Sequence, residues 1–440
     1  MDQSAKKNLA FSREVGRRYQ AVVLAAGESS RFWPLNKKHK FLTKMMGKPL
    51  LYWTLKGLSE RGIREAIIVS SSSAGIKKEI ENEKDFDLNL TYVFQEKPLG
   101  TGNALLQAKP FIKKPFIVLH PYKFYINEIV ADLLKEKAKA KKEVILVGVP
   151  TSMPWDYGVL RFSKSEVKEI CENPRPGKEP SNIRTLGIYL LTPDFFDYYQ
   201  KIEQDREDSL IVALNLILKK RGGGAVVLKE GISSLKYPWD TLSFLGRLLN
   251  SSRLKSHCSK SALMGKNVVI NGKVFIGNNA VIADNTVING PCFIGDNCKI
   301  GASNVLRGPV DLEEGVITGA FCEIKNCLVG RETHLHRGFI GDSVIGENCR
   351  FGAGFISANR RFDRQNIFTI VKGEKIDSQT TYFGFAAGEN TSFGIGASTL
   401  PGVLIGSDCI IGPNTMVEEN IADNTTFYSV FEKVIKKRTG

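Results

Sequence analysis

The chain has 440 residues, more than a single hydrophobic core organises, so two domains are expected. Its 42% hydrophobic and 24% charged content is that of a globular protein, and no apolar run is long enough to span a bilayer. The net charge of +15 comes from lysines spread along the chain, which favours phosphate-bearing substrates over nucleic acid.

Residues 1–19 read as a basic tail carrying Lys6, Lys7, Arg17 and Arg18. This start lacks a signal peptide's apolar core and cleavage site, so a cytoplasmic protein is expected. The eight cysteines agree with that reading: they form no CxxC pair, and five sit at inward or near-inward positions of a repeat. Buried free thiols are expected rather than disulfides or zinc ligands.

Residues 20–250 alternate strand-like and helical stretches. AVVLAAG, EAIIVSS, TYVFQ, PFIVLH, VILVGVP, TLGIYLLT and AVVLK read as strands; LLYWTLKGLSERG and GTGNALLQAKPFI read as helical. This alternation predicts an α/β domain with a mostly parallel, Rossmann-like sheet. Residues 251–264 form a serine-rich stretch that reads as a linker or first cap.

From residue 265 to 427 the period changes. Ile270, Ile276, Ile282, Ile288, Ile294 and Ile300 recur every six residues, and Leu306 and Leu312 keep the register. It returns at Ile345, Phe351, Ile405, Ile411 and Val417, with glycine following most of these positions. An amphipathic helix needs a spacing of three to four, so this pattern predicts a parallel β-helix of stacked three-sided coils. Asn359–Gly384 interrupts the repeat with a polar, charged insertion, and such loops on rigid scaffolds often carry function. Residues 428–440 read as a basic C-terminal tail.

Two sets of motifs carry chemistry. After the first strand comes Leu24-Ala25-Ala26-Gly27-Glu28-Ser29-Ser30-Arg31, followed by Lys40 and Gly47-Lys48-Pro49. A glycine turn lets backbone N–H groups approach phosphates, for which Arg31 and Lys40 supply charge. This run resembles the signature of sugar-1-phosphate nucleotidylyltransferases. The resemblance extends from Ala21 to Leu249. It implies nucleotide contacts at Leu24, Ala26, Gly27, Gln95, Gly100 and Thr101, and sugar contacts at Gly158, Glu172 and Asn182. It also implies transfer of a nucleotidyl group from a nucleoside triphosphate, UTP being the expected one, to a sugar 1-phosphate with Mg²⁺. The chain departs from the pattern at the metal: Tyr122 stands at the expected Asp position and Ser234 at the second, leaving Asp240 as the closest carboxylate. A phenol is a poor Mg²⁺ ligand beside a carboxylate. His120 reads either as a substitute ligand or as a structural strand-end histidine.

The second set is His336-Arg337-Gly338-Phe339-Ile340-Gly341-Asp342-Ser343, then Gly352-Ala353-Gly354, then Ala358-Asn359-Arg360-Arg361-Phe362-Asp363. It resembles the acetyltransferase half of bifunctional UDP-N-acetylglucosamine synthesis enzymes of archaeal type. That resemblance implies a left-handed helix, a homotrimer and acetyl-CoA as co-substrate. It makes His336 the general base on a sugar amine, with Asn359 orienting sugar or acyl group, Ala353 near the acetyl-CoA and Lys325 on the sugar phosphate. Phe339 replaces the family's tyrosine, and Gln365 replaces a lysine. Losing that cation predicts a weaker preference for a phosphorylated acceptor. His334 and His336 share one strand face. Two rival readings are nucleotidyl transfer alone, with the β-helix as an oligomerisation platform, and a catalytically silent sugar-nucleotide sensor.

Overall fold

The computed structural model describes residues 14–71, 75–80, 83, 85–203, 207–229 and 234–436. Lys6, Lys7, Lys437 and Arg438, assigned above to basic tails, lie outside them. The chain forms two compact units. The first comprises residues 1–28, 41–43 and 48–232; the second comprises 29–40, 44–47 and 233–440.

In the first unit the strand Gln20–Ala25 is buried at all six positions. Its apolar run suits a parallel strand covered on both faces. It pairs in parallel with Glu65–Ser70 on one side and Phe116–Leu119 on the other. Asn89–Phe94 extends the parallel edge beside Glu65–Ser70. Ile183–Leu191 then runs antiparallel between Phe116–Leu119 and Ile145–Pro150, and Gly224–Val227 closes the sheet in parallel with the latter. The sheet is thus mostly parallel along its main path, as expected, with Ile183–Leu191 reversed inside it and Val159–Ser163 and Glu166–Cys171 attached by antiparallel pairing. The helices Gly100–Ala108 and Ser209–Arg221 help close one apolar core, in which Leu105, Ala108, Leu214 and Leu218 pack with Val22, Val118 and Leu146.

In the second unit the hexads stack as predicted. Ile276 pairs with Ile294, and Ile294 with Leu312, one coil of three hexads apart. Ile282 and Ile300 form a second such column, Ile288 and Leu306 a third. All of these point inward and are essentially inaccessible. Ile270 is the exception at 42% exposed. It belongs to the first coil, where the interior is not closed by a coil below. The ladder begins at His257–Cys258, which pairs with Phe275–Ile276, so the serine-rich stretch forms part of the first coil and serves as a cap rather than a linker. The helix Asp240–Asn250, at the end of the segment expected to belong to the first domain, groups with the second unit.

Six cysteines (Cys292, Cys298, Cys322, Cys327, Cys349 and Cys409) line the interior of the β-helix as free thiols. Burial pushes Cys292, Cys298, Cys327 and Cys349 up to about 12, which keeps them protonated and inert. Phe351, Phe355, Phe385 and Phe393 fill the core around the insertion. The insertion is not an open loop. It contains the antiparallel hairpin Phe368–Val371 and Glu374–Asp377, anchored by Ile367 and Phe383, which are 1% and 0% exposed. Among the described residues no helix is long and apolar enough to cross a membrane.

Candidate active sites

The acyl-transfer set lies wholly within the second unit. His336 sits in the strand His334–Gly341 and is exposed, while Leu335 beside it points into the core. Glycines bracket it. The Gly319 N–H donates to Leu335 O at 2.8 Å, and a β-carbon on Gly319 would come 2.0 Å from His336 O. On the other side Leu335 pairs with Phe351 and Arg337 with Ala353, leaving Gly352 beside His336. The same register pairs Ala353 with Arg337, the residue after His336. His334, two positions earlier, is paired with Arg350, and its pKa is lowered by burial first and by Arg350 second.

Lys325 and Asn359 come together through a residue to which the sequence reading assigned no role. Asp342 is 2% exposed and stands between them, 17 positions from each. Its Oδ2 accepts a hydrogen bond from Lys325 Nζ at 3.0 Å and another from Asn359 Nδ2 at 2.5 Å. Its Oδ1 accepts one from Asn326 Nδ2 at 2.7 Å. Three coils therefore contribute one residue each to a single column. A buried carboxylate with three donors is well satisfied, and it fixes the rotamers of both partners. Phe339 joins the group: a β-carbon on Gly341 would come 2.6 Å from Asn359 Nδ2 and 2.7 Å from the Phe339 ring. Asp342 adopts φ +50, a left-handed conformation that Asp tolerates better than most residues. Gln365, the position of the missing lysine, is exposed, and its backbone N–H donates to Asp363 at 3.1 Å.

The nucleotide set is described within each unit separately. In the first, Leu24 is 6% exposed at the end of its strand, Ala26 is half-buried, and Gly27 has open space where a β-carbon would stand. Gln95 is buried, with Nε2 donating to Gly100 O at 3.1 Å and to Asn103 Oδ1 at 2.9 Å. It thereby pins the turn that leads through Gly100, at φ +83, to Thr101. Gly158 faces Glu172, whose Oε1 would lie 2.2 Å from a β-carbon there. The Thr185 N–H donates to Gly158 O at 2.7 Å. Asn182 does not join this group: it is exposed, and its carbonyl accepts the Thr151 N–H at 2.9 Å. The neighbour across from Gly158 is Thr185, three positions further along the strand.

At the expected metal position the Tyr122 ring stacks on His120, with centroids 5.6 Å apart and planes 4° from parallel. Lys123 Nζ lies 5.2 Å from the Tyr122 ring, and Arg184 Cζ lies 4.4 Å from the ring of Tyr157. Among the described residues no group of three His, Cys, Asp or Glu side chains could hold a metal. This aromatic and cationic set does not fit Mg²⁺, which takes oxygen ligands.

Arg31 and Lys40 group with the second unit, in short turns spanning Ser30–Phe32 and Lys40–Leu42. Lys40 Nζ donates to Leu235 O at 2.9 Å. Its pKa is lowered to about 8, by desolvation first, with Asp240 opposing and Arg31 and Lys236 assisting. Asp240, the carboxylate named for the second metal position, accepts backbone N–H bonds on Oδ2 from Lys236 at 2.7 Å and Tyr237 at 2.8 Å. It caps the turn that opens its helix, and burial raises its pKa to about 6. Ser234 is half-buried.

Comparison with known proteins agrees with this division. The nucleotidyl transferase family matches residues 20–228, and the bacterial transferase hexapeptide family, of six repeats, matches 291–326. The bifunctional protein GlmU of Methanococcus maripaludis strain C7 is 36% identical over 95% of this chain and 99% of its own. A bifunctional sugar-1-phosphate nucleotidylyltransferase/acetyltransferase of Sulfurisphaera tokodaii is 32% identical over 94% and 100%. A solved UDP-glucose pyrophosphorylase from Acinetobacter baumanii, 19% identical, covers 52% of this chain and 92% of its own with a TM-score of 0.44. With relatives of this similarity along their whole length, the chain belongs to the GlmU-like family of bifunctional sugar-1-phosphate nucleotidyltransferase/acetyltransferases.

Proposed function

We propose that the β-helix transfers an acetyl group from acetyl-CoA to the amine of an amino-sugar phosphate, and that the first domain transfers a nucleotidyl group from UTP to a sugar 1-phosphate. The observation that carries the first half is the Lys325–Asp342–Asn359 column beside the strand of His336. His336 Nε2 or Nδ1 takes the proton as the amine nitrogen attacks the thioester carbonyl. The C–S bond breaks and CoA leaves as the thiol. Asn359 orients the acceptor, Lys325 faces its phosphate, and Phe339 supplies an apolar wall where the family has a hydroxyl. His suits the base role because its ordinary pKa lies near neutrality.

In the first domain a sugar-phosphate oxygen attacks the α-phosphorus and pyrophosphate leaves. Leu24, Ala26, Gly27, Gln95, Gly100 and Thr101 would hold the nucleotide, Gly158 and Glu172 the sugar, and Arg31 and Lys40 the triphosphate charge. The side chains at the expected Mg²⁺ position, the His120–Tyr122 stack with Lys123, do not suit that ion. One observation, the His120–Tyr122 stack, favours a second reading in which this domain binds sugar nucleotides without turning them over.

A homotrimer in the cytoplasm completes the proposal. Supporting the trimer, the β-helix leaves Phe321, Ile356, Ile395, Ile410 and Met416 at least half exposed, apolar side chains that neighbouring copies would cover. The test is free-thiol release from acetyl-CoA by the purified full-length chain, with a panel of amino sugars and their phosphates. CoA release that depends on an amino sugar is expected. Its absence across the panel would refute the acyl-transfer reading.

A further inference from the structure

The insertion Asn359–Gly384 begins and ends at one point. Arg360 follows Asn359 at its start and Tyr382 stands near its end, and Arg360 Cζ lies 4.7 Å from the centroid of the Tyr382 ring. Lys325 Nζ lies 4.4 Å from the same ring. Two cations thus share one aromatic ring, directly beside the Asp342 column. Their charges are not balanced alike. Lys325 has Asp342 at 3.0 Å, whereas Arg360 pairs with no carboxylate among the described residues, and its buried Nε finds no hydrogen-bond partner. The neighbouring Asp363 is engaged by Arg361. A guanidinium stacked on a ring and lacking a carboxylate counter-charge suits a phosphate. The insertion's hairpin is fixed to the next coils by Thr369 Oγ1 on Gly402 O and by Asn420 Nδ2 on Ile370 O at 2.7 Å.

We infer that Arg360, stacked on Tyr382 beside Lys325, joins that lysine in recognising the phosphate of the acyl acceptor. The inference rests on the acyl-transfer reading of this site. It reverses the expectation drawn from Gln365: the lysine is missing there, but a cation arrives from five positions earlier in the chain. Tyr382 acts as the positioning residue, since it holds both cations without touching the acceptor phosphate.

The test compares the full-length chain with Arg360→Gln, Arg360→Lys and Tyr382→Leu, using glucosamine 1-phosphate and glucosamine as acceptors and acetyl-CoA as donor. In the unsubstituted chain kcat/KM should favour the phosphorylated acceptor. Arg360→Gln should reduce that preference about tenfold or more, through KM rather than kcat, as expected for loss of a charge-assisted hydrogen bond. Arg360→Lys should recover part of it, and Tyr382→Leu should reduce it to a lesser degree. An unchanged preference in Arg360→Gln overturns the inference while leaving acyl transfer standing. Should no acceptor release CoA, the acyl-transfer reading fails by itself. Calorimetric binding of glucosamine 1-phosphate then decides the arginine: about tenfold weaker binding in Arg360→Gln upholds it, and equal affinity overturns it.

Discussion

The two halves of the chain hold their candidate site residues by different means. In the β-helix, residues one coil apart are stacked by the ladder itself, so Lys325, Asp342 and Asn359 meet because their spacing matches the coil. In the α/β domain the site residues come from strand ends and turns whose meeting depends on the whole sheet order. One substitution there, Tyr122 at the metal position, draws His120 and Lys123 into an aromatic and cationic stack. A repeated scaffold tolerates changes such as Phe339 and Gln365 at the rim, because each coil position is fixed independently by its neighbours.

The largest expected effect lies in the β-helix. His336→Ala should lower acetyl-CoA turnover by about 100-fold or more, the ordinary contribution of a positioned general base, measured as initial rate of CoA release. A variant that keeps its rate would remove the base assignment. Next comes the scaffold: Ile294→Ala should cost roughly 2–5 kcal/mol in denaturant unfolding, whereas Ile270→Ala, on the open first coil, should cost below about 1 kcal/mol. Equal costs would contradict the burial difference between the two positions.

Asp342→Asn should raise KM for the amino-sugar phosphate by about tenfold, because the amide can no longer balance the charge of Lys325 while holding Asn359. A pure loss of folding stability with KM unchanged would make Asp342 structural only. The smallest effect belongs to the α/β half. Lys40, at about 8, is charged below that pH and neutral above it. Triphosphate binding should therefore weaken by up to roughly tenfold between pH 7 and pH 9, and Lys40→Arg, charged throughout, should flatten the profile. A wild-type profile already flat would separate Lys40 from the phosphates.

Much of the fold was legible because its signals repeat. Hexad isoleucines specify a stacked coil many times over, and only Ile270 misled, since a spacing rule carries no information about where the stack ends. The strands of the α/β domain were legible as apolar runs, but the reversed strand Ile183–Leu191 was not, because direction leaves no local mark on composition. His336, Asn359 and Lys325 were assigned from the family resemblance, and the structure brings Lys325 and Asn359 onto one carboxylate. Asp342 lay inside the quoted motif without a role, because its partners are neighbours only once coils stack. Arg360 was likewise read as part of a motif, and its meeting with Tyr382 depends on the path of the intervening hairpin. Asn182 was assigned from the family resemblance, whereas the sheet puts Thr185 beside Gly158.

The contrast between the halves is tested most directly by one incubation of the purified full-length chain with acetyl-CoA, glucosamine 1-phosphate, UTP and Mg²⁺, in which free CoA and pyrophosphate are measured from the same sample. A preserved acyl site beside an altered metal site predicts CoA release that depends on the amino sugar, with pyrophosphate formed more slowly or not at all. Rapid pyrophosphate formation without any release of CoA would contradict it.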